Sequence, residues 1–236
     1  MSRNRYKKKG IWFAILADKF ITEGAAQVRE DLVHYSKMLG YRQIRQQQQH
    51  IHIARNEIAA EFMNESKRAK DTLVMLDTDH QHPEDIIEIL VEHDKPVVGA
   101  LCFRRGEPYD PQVYVRKEGR LIKPAQWEPG LMQCEIVGFG AVAIQRQAFE
   151  QMEEQGYAFP WFRNTYKDNV NKFEGEDFYF CRMATEAGVP IYCDMDTISP
   201  HLMITGIDDT YWKQRVKKHR SGTGILVPEP WFGDYR

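Results

Sequence analysis

Short apolar runs separated by helical patterns dominate the N-terminal hundred residues. Ile11 to Ala17, Leu73 to Leu76 and Pro96 to Phe103 are predicted strands, because consecutive apolar residues suit a strand that is buried on both faces. Tyr41 to Gln46 is a polar, glutamine-rich candidate for another strand. Strands that alternate with helices indicate a mainly parallel sheet covered by helices, which is an α/β fold.

Three segments between these strands have apolar residues at helical spacing. The first begins near Ala25 and is stopped by Gly40, and the second begins at Ala54, with Arg55 and Asn56 in its opening turn. The third begins at Pro83, since proline is tolerated in a first helical turn. The buried positions expected in the first and third helices are Ala25, Val28, Leu32, Tyr35, Leu39, Ile86, Ile87, Leu90 and Val91.

The pattern changes after Phe103 to shorter strands and loops. Two short apolar stretches predict a hairpin that turns near Lys117 to Gly119, inside an insertion from Arg105 to Gly130 beside the site. Ile136 to Ile144 is a strand that contains Gly138 and Gly140, which indicates either close approach of a ligand to the backbone or a bulge. The last predicted elements are a helix after Gly175, strands at Pro190 to Cys193 and Ile198 to His201, a basic helix at Asp208 to His219, and a loop-rich tail to Arg236.

Composition narrows the class of protein. The chain has 236 residues, is 42% hydrophobic and carries a net charge of −2, so we expect one core and no strong bias towards nucleic acid. Its four cysteines show no zinc or disulfide spacing and are expected to be reduced and buried. The apolar run at Ile11 to Ala17 is too short to span a membrane, so no transmembrane segment and a cytoplasmic location are expected.

The most informative stretch is Asp77-Thr78-Asp79, which follows a predicted buried strand directly. Ligands of open α/β sheets collect at the carboxyl edge of the strands, and two carboxylates on alternate residues suit a hard divalent cation. The alternative is that these acids and the neighbouring His80 and His82 are solvated loop or helix-capping residues.

Further polar candidates lie downstream. Glu176 and Asp177 are carboxylates at the start of a helix, where capping and the helix dipole alone would also explain them. His201 ends a predicted strand, and a lone histidine is more often a satisfied polar residue than a metal ligand. Each of these stretches is unspecific by itself.

Taken in order, these stretches resemble the GT-A glycosyltransferases, most closely the family-two-like enzymes of prokaryotes and their viruses. The likeness runs from about Ile11 to His201 and implies a Rossmann-like single domain over residues 1–206, followed by a helix and tail over residues 207–236 that could cover the site. The segments that carry it are Ala54-Arg55-Asn56, Leu76-Asp77-Thr78-Asp79, Val98-Gly99, Arg104-Arg105, Gly138-Phe139-Gly140, Gly175-Glu176-Asp177-Phe178 and His201.

The resemblance implies roles for particular residues. Asp79 and His201 would hold Mn²⁺ or Mg²⁺, with Asp77 touching the metal or the ribose. Asp177 would be the catalytic base, with Glu176 in reserve. The nucleotide-sugar donor would lie against Arg55, Asp77, Thr78, Asp79, Gly138 and Gly140.

The implied reaction moves a sugar from a nucleotide-diphosphate sugar to an acceptor hydroxyl, and we expect inversion, although some retaining enzymes share the same acids and histidine. The acceptor could be a glycan, a lipid-linked group, a protein or a modified nucleic acid, and the oligomeric state is open. One alternative is a sugar-phosphate nucleotidyltransferase, which would be expected to have a glycine-rich basic loop where this chain has Asp18 to Gly24. The other is a non-catalytic nucleotide- or glycan-binding module.

Overall fold

The computed structural model describes residues 10–16, 23–45, 50–167 and 172–203. The predicted loop at Asp18 to Gly24 lies largely outside these residues, and the predicted C-terminal helix and tail lie entirely outside them. The helices are α1 (Glu23–Met38), α2 (Ile51–Glu65), α3 (Ile86–Glu92), α4 (Arg146–Glu154) and α5 (Glu176–Glu186). The strands are β1 (Ile11–Leu16), β2 (Arg42–Ile44), β3 (Thr72–Asp77), β4 (Val97–Leu101), β5 (Val113–Lys117), β6 (Arg120–Ile122), β7 (Leu131–Cys134), β8 (Ile136–Val137), β9 (Ala141–Gln145), β10 (Thr165–Lys167), β11 (Lys172–Glu174) and β12 (Ile191–Ile198).

A seven-stranded sheet in the order β2-β1-β3-β9-β4-β12-β7 forms the centre of the fold. Strands β1, β2, β3, β4 and β12 run in one direction, whereas β9 and β7 run antiparallel to their neighbours. The prediction of an α/β domain with a mainly parallel sheet is therefore confirmed. Two small antiparallel sheets, β10-β11 and β6-β5-β8, lie outside it, and the second contains the hairpin predicted in the insertion.

The central sheet is buried on both faces. Along β3, Leu73 and Met75 join one apolar cluster while Val74 and Leu76 join another, because successive side chains of a strand point to opposite faces. The first cluster also takes in α2, α4 and α5, and the second takes in α1 and α3. Asp77, the last residue of β3, consequently lies where the two apolar layers end.

Several element boundaries differ from the predictions. Helix α3 begins at Ile86, because Pro83 to Asp85 form a turn in which the Ile86 N–H donates to the Pro83 carbonyl at 3.2 Å. Helix α2 begins at Ile51, so Arg55 lies in its second turn. Helix α1 buries Leu32, but the predicted buried positions Tyr35 and Leu39 are 36% and 41% exposed.

The predicted strand from Ile136 to Ile144 is divided. Its first part, β8, pairs with β5, whereas its second part, β9, enters the central sheet between β3 and β4. The chain passes from one sheet to the other at 138–140, where the Gly138 N–H donates to the Gln112 carbonyl and the Gly140 carbonyl accepts from the Asp77 N–H. The two strands predicted near Pro190 and Ile198 are instead the single strand β12, and α4 was not predicted.

All four cysteines are free and buried, as expected. Among the residues that the structure describes, no helix combines the length and the apolar character that crossing a membrane requires.

Candidate active site

The candidate site begins where β3 ends, and a second segment of chain pairs with it there. The Thr78 N–H donates to the Leu16 carbonyl at 3.0 Å, which holds the start of the loop against β1. The Leu202 N–H then donates to the Asp79 carbonyl at 2.7 Å, and the Gln81 N–H donates to the Pro200 carbonyl at 2.9 Å. This short antiparallel contact brings His201 to Asp79 across 122 positions of sequence.

Asp79 is surrounded by nitrogen donors. Its Oδ2 lies 3.0 Å from His201 Nε2 and 3.2 Å from Arg105 Nη1, and its Oδ1 lies 3.0 Å from His80 Nδ1. Burial alone would raise the pKa of Asp79, but the hydrogen bonds from His201 and His80 hold that pKa well below its usual range. Asp79 is therefore a carboxylate at any physiological pH.

The surroundings of the His201 ring assign the protonation of one of its nitrogens, Nδ1. Nδ1 lies 3.0 Å from the Phe103 carbonyl, which can only accept, so Nδ1 carries a proton. Burial lowers the pKa of His201, but the hydrogen bond from Nε2 to Asp79 Oδ2 outweighs burial and raises that pKa, because the bond requires a proton on both nitrogens. In the neutral ring, Nε2 would instead present a lone pair that a bound cation could accept. Metal-ligating histidines generally donate their second nitrogen to a carbonyl or carboxylate in this way. Asp79, His80 and His201 each have a ligand-type atom within 4.8 Å of the others, and a carboxylate such as Asp79 with an imidazole such as His201 suits a divalent metal ion.

Arg55 forms salt bridges with two of the predicted acids, Asp77 and Glu176. Its residue exposure is 1%, its Nη2 lies 3.0 Å from both oxygens of Asp77, and its Nε lies 3.2 Å from Glu176 Oε1. Nη2 also donates to the Phe139 carbonyl at 3.3 Å. The geometry thus indicates that Arg55 holds these two carboxylates in place. A contact between Arg55 and a nucleotide stays a prediction.

The carboxylates of the site raise one another's pKa values. Burial raises the pKa of Asp77 to about 7 against the opposing effect of Arg55, with Asp79, Glu176 and Asp177 contributing in the same direction as burial. Asp177 lies in the first turn of α5, where its Oδ1 accepts from the Phe178 N–H at 2.8 Å. Burial, followed by the charge of Glu176, raises the pKa of Asp177 to about 6.

Negative charge therefore accumulates at this edge of the sheet. Among the described residues, the guanidinium groups within salt-bridge distance of these four carboxylates are those of Arg55 and Arg105. An additional cation would be stabilised here. Of the two candidate bases, Glu176 is held by Arg55, whereas Asp177 forms no salt bridge within the described residues and has the raised pKa.

The two predicted glycines have different surroundings. A Cβ on Gly140 would lie 2.6 Å from His80 Nε2, whereas a Cβ on Gly138 would lie 2.7 Å from Cys102 Sγ and 2.9 Å from Gln112 Cβ. Gly140 is thus beside the acidic loop, and Gly138 packs against neighbouring loops. Thr78, the remaining predicted donor-binding residue, is 6% exposed.

The view of His80 and His82 as solvated loop or capping residues is wrong. Both are buried, and the ring of His80 lies between those of His82 and His201, with centroid separations of 5.9 and 4.1 Å. His82 Nε2 lies 2.8 Å from the Asp77 carbonyl and Nδ1 lies 3.1 Å from Ser199 Oγ. Burial lowers the pKa of His82 to about 4, so it is neutral. The sequence spacing His-x-His gave no indication of this packing.

No family model matches the chain, and no curated protein matches it either. Similar solved structures include GalNAc-T7 with UDP, GalNAc and Mn²⁺, at 12% identity and a TM-score of 0.46 over 83% of this chain and 44% of that one. The inositol-1-phosphate CTP transferase from T. maritima aligns at 8% identity and a TM-score of 0.46, over 89% of this chain and 96% of that one. A Drosophila β1,4-galactosyltransferase 7 in complex with manganese, UDP-Gal and xylobiose aligns at 11% identity and a TM-score of 0.41, over 88% and 79%. Likeness at this level carries no argument about chemistry.

Proposed function

We propose that this chain is a metal-dependent glycosyltransferase of the GT-A type that transfers a sugar, with inversion, from a nucleotide-diphosphate sugar to an acceptor hydroxyl. One observation carries the proposal: an Asp79–His201 pair and a half-buried carboxyl group of raised pKa, Asp177, belong to the same group of interacting residues. A metal site alone would suit many proteins. A metal site beside a carboxyl group suited to proton transfer is what glycosyl transfer requires.

The residues that would hold Mn²⁺ or Mg²⁺ are Asp79 and His201, with Asp77 close by. When bound, such an ion neutralises the charge that develops on a departing nucleoside diphosphate. Arg55 keeps Asp77 and Glu176 in fixed positions, since its salt bridges to them are 3.0 and 3.2 Å long.

Asp177 is the proposed base. The acceptor oxygen bonds to the anomeric carbon while the bond from that carbon to the diphosphate oxygen breaks, and the hydroxyl proton passes to Asp177. A general base is most effective when its pKa lies near the working pH, and a pKa of about 6 leaves Asp177 deprotonated but still basic at neutral pH. A base of this kind contributes roughly 100- to 10,000-fold in rate.

The test is a titration of uridine, guanosine and other nucleoside diphosphates and their sugars with and without Mn²⁺. We expect tight binding of one nucleotide that is lost in excess chelator, and release of that nucleoside diphosphate on turnover. Equal affinity with and without metal would refute the proposal. Consumption of a nucleoside triphosphate and a sugar phosphate with release of pyrophosphate would instead establish the nucleotidyltransferase alternative, and metal-linked binding without turnover would indicate a binding module.

A further inference from the structure

His80 is buried in the candidate site beside two other histidine rings. Its ring is 5% exposed and nearly parallel to both neighbouring histidine rings, at 11° to His82 and 19° to His201. His82 is fixed in turn by the Asp77 carbonyl and Ser199 Oγ. The outer rings therefore hold the His80 ring in one plane.

The two nitrogens of His80 have different surroundings, which assigns its tautomer. Nδ1 lies 3.0 Å from Asp79 Oδ1, whereas Nε2 is buried and has no hydrogen-bond partner among the residues that the structure describes. A proton on Nδ1 donates to the carboxylate and leaves only an unused lone pair at Nε2. The opposite tautomer would bury an N–H group without an acceptor and set two acceptors against each other, which costs more.

Because Gly140 has no side chain, it leaves room for the His80 ring. A Cβ at that position would lie 2.6 Å from Nε2, 2.8 Å from Cε1 and 2.9 Å from Cδ2 of His80, so the ring lies directly against the glycine backbone. A side chain at position 140 would therefore displace the His80 ring from its place beside Asp79.

We propose that His80 is a positioning residue for Asp79: its Nδ1–H holds Oδ1, so that Oδ2 is the oxygen presented to His201 and to a divalent cation. This inference rests on the metal-dependent function proposed above and adds a residue to it. His80 is not itself a ligand, because rings stacked face to face direct their in-plane lone pairs side by side and not towards one point. Hydrogen-bonding partners of metal ligands typically contribute 10- to 100-fold in metal affinity.

The test is titration of the full chain with Mn²⁺ alone, without nucleotide, with free Mn²⁺ followed by electron paramagnetic resonance. His80→Phe keeps a flat ring in the stack but loses the donor, and we expect a 10-fold or greater loss of Mn²⁺ affinity. His80→Asn loses the ring but places an amide N–H near the position of Nδ1, and we expect it to recover part of the affinity. Gly140→Ala alters no polar group and should weaken Mn²⁺ binding by displacing the ring.

The matched control is His93→Phe. His93 forms the same kind of pair, with Nε2 2.8 Å from Asp194 Oδ2, away from the acidic loop, and its loss should leave Mn²⁺ affinity unchanged. Thermal unfolding of each variant shows that it is folded before it is titrated.

Three outcomes would overturn the inference in distinguishable ways. Wild-type affinity in His80→Phe, with binding abolished by Asp79→Asn, would remove the role of His80 and leave the proposed function standing. Couplings from two histidine nitrogens to bound Mn²⁺ in pulsed resonance spectra would make His80 a ligand and not a positioning residue. Absence of Mn²⁺ binding by the wild-type chain, with and without nucleotide, would defeat the proposed function and this inference together.

Discussion

Replacement of Arg55 by methionine should destabilise the protein strongly, and the loss should depend on pH. Methionine keeps the length and apolar stem of the side chain but removes the charge that lies within 3.0–3.2 Å of Asp77 and Glu176. The Arg55 side chain is 2% exposed, and removal of one partner from a buried pair costs about 3–5 kcal/mol, since the remaining charge is left without compensation. We expect a loss of that size at pH 8.

The pH dependence follows from Asp77. Its pKa in the folded protein is about 7, above the ordinary value of 3.8, so its contribution to stability is fully present below pH 3.8 and is lost as the pH rises through 7. Arg55 holds this pKa down, so Arg55→Met should raise it further. Each additional unit adds about 1.4 kcal/mol to the loss at high pH, whereas at pH 5 a protonated Asp77 no longer needs the arginine.

The assay is equilibrium unfolding in urea at pH 5 and pH 8, monitored by tryptophan fluorescence. Arg116→Met is the control, because Arg116 lies 3.0 Å from Glu135 but its side chain is 50% exposed, and exposed pairs contribute only about 0.2–1 kcal/mol. Equal losses in the two variants, or a loss for Arg55→Met that is the same at both pH values, would refute this account of the site.

Three further predictions concern activity and donor binding. Asp177→Asn should lower the turnover number by roughly 100-fold or more while metal-dependent donor binding survives, and the fall in kcat/KM of the wild-type enzyme below about pH 6 should disappear in this variant; near-wild-type transfer would defeat the base assignment. Asp79→Asn should weaken both donor binding and turnover, and high Mn²⁺ should partly restore them. If neither recovers at any Mn²⁺ concentration in a folded variant, that would count against a ligand role. Truncation after Gly206 should raise the donor dissociation constant if residues 207–236 cover the site, and unchanged affinity in a folded truncation would exclude such a cover.

The sequence predicts the strand before the acidic loop and the helix after it well, because each is encoded by a local pattern of residues. The apolar run before Asp77 and the stripe Ile86, Ile87, Leu90 and Val91 are buried as expected, since each needs only its own periodicity to be recognised. Strand β12 was missed as one element because Asp194 interrupts the apolar pattern. In the fold, the Asp194 carboxylate is satisfied by the Asp196 and Thr197 N–H groups, the Thr197 hydroxyl and His93.

The interior of the site could not be predicted in the same way. A charged residue at the start of an amphipathic helix is expected at the surface, whereas the salt bridges to Asp77 and Glu176, 22 and 121 positions away, make the burial of Arg55 favourable. The proximity of Asp79 and His201 was expected solely from the order of motifs. A solvated loop or capping position was the alternative for His80, whereas its neighbours in space are two histidine rings and a glycine that its local sequence does not indicate.

The distance along the chain between Asp79 and His201 has a consequence for protein synthesis. At translation rates of about 5–20 residues per second, His201 is made roughly 6–24 s after Asp79, and Glu176 and Asp177 are also made late. During that interval Asp79 lacks His201, and Arg55 lacks Glu176. The candidate metal site is therefore completed late in synthesis, and capture of Mn²⁺ by a growing chain would mark the moment at which these two distant segments come together.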